Sequence, residues 1–446
     1  MRTLRRMGLG LGSILAHHFL LLLDCWALPL WVDFPLAAIF LLINLLIQVL
    51  PAYERDVPAR LQILWGGREL LLTAAWLTPL DIGLSVVAGV TLLPNGLPVA
   101  LFVADCVVMA LGLCLLVLNG ALRILCASRQ VGWIQRLLVI FLWWLPIANV
   151  VWLYQICRFA RMEYQVEREK EALNRVRQES SLCSTRYPIL LVHGVFFRDT
   201  RFFNYWGRIP QELKRNGARL YYGQQQSALS VADSAKELKQ RVFQLLRESG
   251  CQKVNILAHS KGGLDARYAI SCLGLAPYVA SLTTINTPHR GCRFADHLLT
   301  KLPNALVQFV AKRYNTTLRR FGEASPDFLA AVGDLTHSRC TQLNERMPDQ
   351  PEVWYQSVAS CMHQAGSAKF PLNWSYRLVK RYDGANDGLV GVDSAPWGHF
   401  LGLLTSAGRR GISHGDMIDL DRRNFRGFDV REFYVHLVAG LKRQGY

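Results

Sequence analysis

The sequence predicts an all-α bundle of membrane-crossing helices joined to an α/β domain, a mostly parallel sheet with helices on both faces. Three observations predict it. Residues 1–157 contain no lysine and consist largely of long apolar runs, whereas the chain from 158 onward has ordinary soluble composition. From Tyr187, short apolar runs alternate with amphipathic stretches of helical period, as strands joined by crossover helices do. One of those runs ends in Ala258-His259-Ser260-Lys261-Gly262-Gly263, a tight turn of small residues leading into a helix. At 446 residues the chain is long enough for two domains.

In the first part, five apolar segments approach the ~20 residues that span a bilayer: 8–30, 35–49, 70–93, 98–118 and 137–156. The first is not a cleaved signal peptide. Arg2, Arg5 and Arg6 precede it, but no small-residue cleavage site follows and further spans come after. Arginines mark the cytoplasmic side. Arg55, Arg60 and Arg68 read as inside, as do Arg123, Arg129 and Arg136, while the uncharged turn Pro94-Asn95-Gly96-Leu97 reads as outside. The fifth segment breaks the pattern, because Arg158, Arg161, Arg168 and Lys170 follow it. Either it crosses against the rule or it is re-entrant or interfacial, as Pro146 and Asn149 within it would suit. A plain count of five crossings puts the second domain outside. The flanking arginines put it on the cytoplasmic face, which is the expectation adopted.

Asp81 and Asp105 lie inside apolar spans. Buried acids in lipid are costly and point to function. The ordinary alternative is that each pairs with an arginine or polar neighbour, or sits near an interface. Residues 158–185 mix both signs at helical spacing, with Glu171 and Arg175 as a favourable i,i+4 pair, and read as a solvated helical connector. The second domain is then 186–446.

Residues 1–157 hold nine arginines against seven acids, while the remainder holds 41 basic and 26 acidic residues, a net of +15. A basic half beside a membrane suits anionic headgroups. Zinc-finger spacing, RNA-binding aromatic motifs and basic blocks are all missing, so no nucleic-acid partner is expected. Eleven cysteines without a C-x-x-C pair read as free thiols in a reducing compartment.

The second domain opens with the strand Ile189-Leu190-Leu191-Val192, ending in His193-Gly194. A helix around 210–216, a strand at 219–222 and an amphipathic helix over 233–249 follow. The buried strand 253–257 then feeds the turn at Ser260. Strand, small-x-Ser-x-Gly and helix form a nucleophile elbow. The strained turn demands small residues two places either side of the serine, and Ala258 and Gly262 meet that demand. The turn lifts the hydroxyl above the sheet edge. It also places the Lys261 N–H at a helix start, where it can stabilise an oxyanion. A second donor is expected from the loop after the first strand, the N–H of Val195, with His193 ordering that loop. Phe196, Phe197, Phe202, Phe203, Tyr205 and Trp206 crowd behind it, to line an acyl groove or to form core, and Phe196 and Phe197 are the substrate-binding candidates.

Four stretches in order carry a resemblance: Tyr-Pro-Ile-Leu-Leu-Val-His-Gly (187–194), Val-Asn-Ile-Leu-Ala-His-Ser-Lys-Gly-Gly-Leu-Asp-Ala-Arg-Tyr (254–268), Leu-Thr-Thr-Ile-Asn-Thr-Pro-His-Arg-Gly (282–291) and Asn-Asp-Gly-Leu-Val (386–390). Together they make residues 187–446 resemble the bacterial triacylglycerol lipases, of the α/β-hydrolase fold. The membrane part has no counterpart in the secreted lipases. The resemblance implies a triad in the order Ser, acid, His. His414 lies in the polar loop Ile412-Ser413-His414-Gly415-Asp416, whereas His436 sits in an apolar helical pattern and reads as packed. His414 is therefore the expected base. The resemblance assigns Asp387 as the acid, with Asp383 and Asp393 as nearby rivals. Some secreted members hold a structural calcium, and Asp416 stands where one ligand would; the other ligands find no match, so no metal or other cofactor is expected.

Residues 300–341 form an insertion without strand character. Leu302, Leu306, Phe309, Val310 and Tyr314 recur on one helical face near Lys312, Arg313, Arg319 and Arg320. They read either as a lid over an acyl pocket or as a packed cap helix. The expectation is a membrane-anchored serine hydrolase cleaving carboxylic esters of acylglycerols, phospholipids or lysophospholipids, in a bacterial inner membrane. The alternatives are an acyltransferase or thioesterase on the same triad, or an inert membrane scaffold. The sequence does not specify the oligomeric state.

Overall fold

The computed structural model describes the chain apart from residues 1, 27, 28, 50–53, 55, 142, 143, 178 and 196–203. Internal contacts divide it into two compact units, Met1–Leu173 and Asn174–Tyr446.

The first unit is all helical: α1 (Arg2–His17), α2 (Phe19–Trp26), α3 (Leu30–Val49), α4 (Ala59–Leu92), α5 (Val99–Ala127), α6 (Trp133–Phe141) and most of α7 (Pro146–Arg177). Among the described residues, α4 and α5 are each long and apolar enough to cross a membrane. At ~1.5 Å per residue they exceed the ~30 Å hydrocarbon core. The stretches Met7–His17 and Phe19–Trp26, bent by 66° against each other, make a third span if taken as one. Two expected segments look different. Residues 35–49 fall in α3, of which Trp31–Leu42 is the short apolar part. Residues 137–156 are divided between α6 and α7, with Pro146 opening α7 where its missing N–H costs nothing.

Glycines let α4 and α5 touch backbone to backbone. A Cβ on Gly67 would stand 2.8 Å from the Gly120 carbonyl, and one on Gly120 2.9 Å from that of Gly67. The acids within the apolar helices are paired by histidines. Asp81 Oδ2 lies 2.7 Å from His17 Nδ1, and Asp105 Oδ2 lies 2.8 Å from His18 Nδ1, all four side chains being buried. Glu163 departs from the solvated connector expected of it. It is buried, and it accepts from Arg60 Nη1 (2.5 Å), Ser128 Oγ (2.6 Å) and the backbone N–H groups of Arg129 and Gln130.

The second unit is built on six parallel strands: β1 (Ile189–Val192), β2 (Leu220–Tyr222), β3 (Val254–His259), β4 (Val279–Ile285), β5 (Trp354–Ser360) and β6 (His399–Leu404). Their order is β2-β1-β3-β4-β5-β6, and every neighbouring pair is parallel. The helices are α8 (Ile209–Arg215), α9 (Val231–Ser249), α10 (Lys261–Cys272), α11 (Arg293–Lys301), α12 (Asn304–Arg320), α13 (Phe328–Gly333), α14 (His337–Arg346), α15 (Leu372–Asp383) and α16 (Val430–Arg443). This is the α/β-hydrolase fold that the sequence predicts.

Side chains alternate between two cores, as the period of a strand requires. Ile189, Leu191 and Leu257 join Trp206, Leu213, Tyr434 and Val438 on one face. Leu190, Val192 and Ile256 join Leu238, Val242 and Ile270 on the other. Because both faces of β1 and β3 are covered, these strands read as continuous apolar runs rather than alternating ones. The central strands end together, so the loops leaving β1, β3 and β4 meet at one sheet edge, where open α/β sheets place their sites.

Candidate active site

Ser260 follows β3 and immediately precedes α10, with backbone φ 56° and ψ −132°. That conformation is strained for an L-residue by roughly 1–3 kcal/mol, and the surroundings hold it in place. The Ser260 N–H donates to the Ile285 carbonyl (2.9 Å), and Thr287 Oγ donates to the Ser260 carbonyl (2.8 Å). The turn also requires its glycine. A Cβ on Gly262 would stand 2.4 Å from the His193 carbonyl and 2.9 Å from that of Val192.

Lys261 begins α10, so its N–H lies at a helix start. Its side chain has a role that the sequence does not announce. The buried ammonium donates to Asp265 Oδ1 (2.7 Å) and Ser234 Oγ (2.8 Å), tying the first turn of α10 to α9. Burial pushes the Asp265 carboxyl above its ordinary range, against the pull of the Lys261 ammonium.

The β1 loop lies against the serine: a Cβ on Gly194 would come within 2.7 Å of Ser260 Cβ. The Gly194 N–H is taken by Tyr205 Oη (3.1 Å). His193 is buried, its Nδ1 is 3.0 Å from the Gly194 carbonyl, and its own carbonyl accepts from Gln225 Nε2 (3.1 Å). These bonds order the loop. Val195 is buried and lines the cavity beside Ser260. Phe196, Phe197, Phe202 and Phe203 lie outside the described residues. Tyr205 and Trp206 are core, not groove.

Asp387 and His414 are brought together. His414 Nδ1 is 2.7 Å from Asp387 Oδ2, and the His414 N–H donates to the Asp387 carbonyl (2.8 Å). The other carboxylate oxygen, Oδ1, accepts the N–H groups of Leu389 (2.9 Å) and Val390 (2.7 Å). One oxygen is thereby locked by backbone and the other aimed at the imidazole. Asp383 instead accepts from the first N–H groups of α11, those of Arg293 and Phe294. Asp393 contributes its carbonyl to Arg290. His436 corrects the sequence reading: it is exposed and pairs with Glu432 at 3.0 Å, because it falls on the outer face of α16.

No family model matches the chain. A triacylglycerol lipase of Pseudarthrobacter phenanthrenivorans is 33% identical over 216 residues, covering 45% of this chain and 65% of that protein. The chain thus spans slightly less than two thirds of that relative's length. A triacylglycerol lipase of Pseudomonas fragi is 32% identical over 295 residues, covering 59% of this chain and 98% of that protein. The chain belongs to the triacylglycerol lipase family. The solved Staphylococcus hyicus lipase superposes with a TM-score of 0.46 at 16% identity, covering 58% of this chain and 97% of that one.

Within this lipase-family domain, Ser260 opens into a cavity of about 350 Å³ whose walls are almost wholly apolar. Leu298, Leu302, Leu306, Val310, Val332 and Leu389 contribute to its lining. The insertion expected at 300–341 is therefore helical and forms part of the cavity wall, through α12 and α13. Glu323, just past the end of α12, is pinned by the Ser227 hydroxyl and by the N–H groups of Ser227 (3.0 Å) and Ala228 (3.3 Å). The Asp416 carboxylate is engaged by Arg410 Nη2 (2.8 Å), Ser413 N (2.8 Å) and Ser413 Oγ (2.7 Å). Among the described residues no group of three His, Cys, Asp or Glu is placed to hold a metal.

Sequence reasoning missed His259. Its ring lies 4.4 Å from that of His414, and its Nδ1 is 2.8 Å from Tyr205 Oη. Burial, and secondarily the charge of His414, hold its pKa well below the ordinary histidine value. Its place next to Ser260 in the motif is the one signal that could have found it.

Proposed function

We propose that this chain is a membrane-anchored serine hydrolase that cleaves carboxylic esters of lipids through an acyl-enzyme on Ser260. The observation that carries the reading is the Asp387–His414 pair: a backbone-locked carboxylate 2.7 Å from Nδ1, on a loop whose Leu389 and Val390 line the same apolar cavity into which the strained Ser260 opens. Asp387 fixes the tautomer with the proton on Nδ1, leaving Nε2 as base. His414 takes the Ser260 proton as Oγ attacks the ester carbonyl. The resulting oxyanion is stabilised by the N–H groups of Lys261 and Val195. Collapse breaks the ester C–O bond, and the His414 imidazolium protonates the departing alcohol. Water, deprotonated by the same imidazole, then releases the acid and restores Ser260. The apolar cavity suits an acyl chain rather than a polar acid, and the relatives named above are triacylglycerol lipases.

The same reading places the domain on the cytoplasmic face. The uncharged turn between α4 and α5 and the arginines at their far ends support it. All eleven cysteines are free, as a reducing compartment favours.

A fluorophosphonate probe is expected to label the wild-type chain and to leave Ser260→Ala unlabelled. Equal labelling of both would remove Ser260 from the mechanism. A membrane-impermeant thiol reagent, applied to intact cells carrying a variant without the cysteines of the first 157 residues, is expected to modify nothing before lysis.

A further inference from the structure

The loops bearing Asp387 and His414 share one packing partner. Leu372, the first residue of α15, is wedged between the glycines that follow them: a Cβ on Gly388 would stand 3.3 Å from Leu372 Cβ, and one on Gly415 3.4 Å from Leu372 Cδ1. Ser375 Oγ adds a 2.6 Å bond to the Gly388 carbonyl. The residues on either side of Leu372 face solvent. Phe370 is 80% exposed and Trp374 72%, more than the cavity-lining Leu302 and Leu306. Arg377 and Arg381 follow at i+3 and i+7 from Trp374, both exposed and on its face of the helix. Leu420, also exposed, lies 3.3 Å from the Cβ position of Gly415, and the exposed Arg422 and Arg423 follow it. The acids nearby are already engaged, Asp421 by Lys369 at 2.7 Å and Asp383 by the N–H groups of Arg293 and Phe294. What this surface offers outward is aromatic and cationic.

Two large aromatics this bare, four residues apart in the chain and beside cationic side chains, mark a surface that an apolar phase can cover. Tryptophan and phenylalanine beside arginines suit the headgroup layer, where rings enter the acyl boundary and guanidinium groups meet phosphates. The sign of the charge selects among bilayers: residues 158–446 carry a net +15. We propose that Phe370, Trp374, Arg377, Arg381 and Leu420 form a docking surface for a bilayer rich in anionic phospholipid. It lies on residues that do not themselves line the cavity, and it presses the loops of Asp387 and His414 toward the lipid. The proposal rests on the hydrolase reading for its consequence and not for the contact itself.

The test uses the full chain in nanodiscs of phosphatidylcholine, with or without phosphatidylglycerol, each made with plain or brominated lipid. Subtracting the emission of Trp374→Phe from that of the wild type isolates Trp374. Its emission is expected to be quenched by brominated lipid in the anionic discs and spared in the zwitterionic ones. No quenching in either overturns the docking surface and leaves the patch to a protein partner; equal quenching in both overturns the anionic preference. Phe370→Ser/Trp374→Ser and Arg377→Gln/Arg381→Gln are each expected to slow turnover of a disc-embedded long-chain ester about fivefold or more. Hydrolysis of a water-soluble short-chain ester should stay at the wild-type rate, which also shows that the variants fold. The quenching decides the docking claim even if neither ester is cleaved, so its failure is distinct from failure of the hydrolase reading.

Discussion

The imidazole of His259 lies 4.4 Å from that of His414, tilted by 53°, and Tyr205 Oη holds its Nδ1 at 2.8 Å. Burial keeps His259 neutral, with its pKa well below the ordinary value. His289, buried beside Arg267 and bonded to Thr284 Oγ at 2.9 Å, is depressed for the same first reason. In the unfolded chain both histidines take a proton near pH 6.5. The folded unit refuses it. Below that pH the unfolded state therefore binds more protons, and stability falls as pH falls, by about 1.4 kcal/mol per pH unit for each histidine. Denaturant midpoints of the detergent-solubilised chain between pH 5 and pH 8 are expected to drop steeply below about pH 6.5. His289→Gln is expected to flatten the drop by about one proton. An unchanged slope would mean that His289 titrates alike in both states.

The choice of acid is open to a direct kinetic test. Asp387→Asn keeps the shape but offers His414 the wrong hydrogen-bonding partner, and kcat is expected to fall about 10⁴-fold, with KM little changed. Asp383→Asn disturbs only the N-terminal N–H groups of α11 and is expected to cost about tenfold at most. If Asp383→Asn were the more damaging change, the acid would have to be reassigned.

How much of this was legible in the sequence depended on whether the signal was local. The elbow was readable because strain, small neighbours and helix start all fall within a few residues of Ser260. Strands β1 and β3 were readable because both faces are buried. Strand β6 was not: it is an edge strand, mostly exposed, and Gly402 interrupts its apolar residues. Strand β5 was obscured by Gln356 and Ser357, polar residues satisfied inside the sheet by Thr283 and the Trp397 carbonyl. Asp81 and Asp105 stood out as buried acids, but their partners lie 64 and 87 residues away and are masked by the apolar run around them. No spacing rule connects such a pair, and only packing reveals it. His436 was misjudged because it interrupts an apolar pattern yet falls on the outer side of α16.

The His17–Asp81 and His18–Asp105 pairs cross between the bent α1–α2 segment and the two long helices. They are expected to hold the bend in place. Asp81→Asn and Asp105→Asn should each lower stability by about 1–2 kcal/mol, the range found for polar contacts between membrane helices. The loss is checked as a lower temperature of aggregation in mild detergent. The kcat of the remaining folded protein should be unaltered. A fall in kcat at full stability would make the pairs part of the activity rather than of the scaffold.

The Lys261–Asp265 pair makes an asymmetric prediction. Removing the acid strands an ammonium that is 1% exposed and left, among the described residues, with Ser234 Oγ, so Asp265→Ala is expected to cost about 3–5 kcal/mol. Removing the base is milder. Lys261→Met leaves a carboxyl whose proton affinity is already raised by burial, and it can escape its unpaired charge by taking up a proton. The Lys261→Met deficit should therefore be the smaller of the two and should shrink as pH is lowered from 8 to 6, while that of Asp265→Ala should not. Lys261→Met also keeps its backbone N–H, so the folded fraction is expected to retain kcat within about tenfold. Thermal denaturation and active-site titration on the same preparations separate the two effects. Equal deficits at every pH would show that the pair contributes through packing and not through charge.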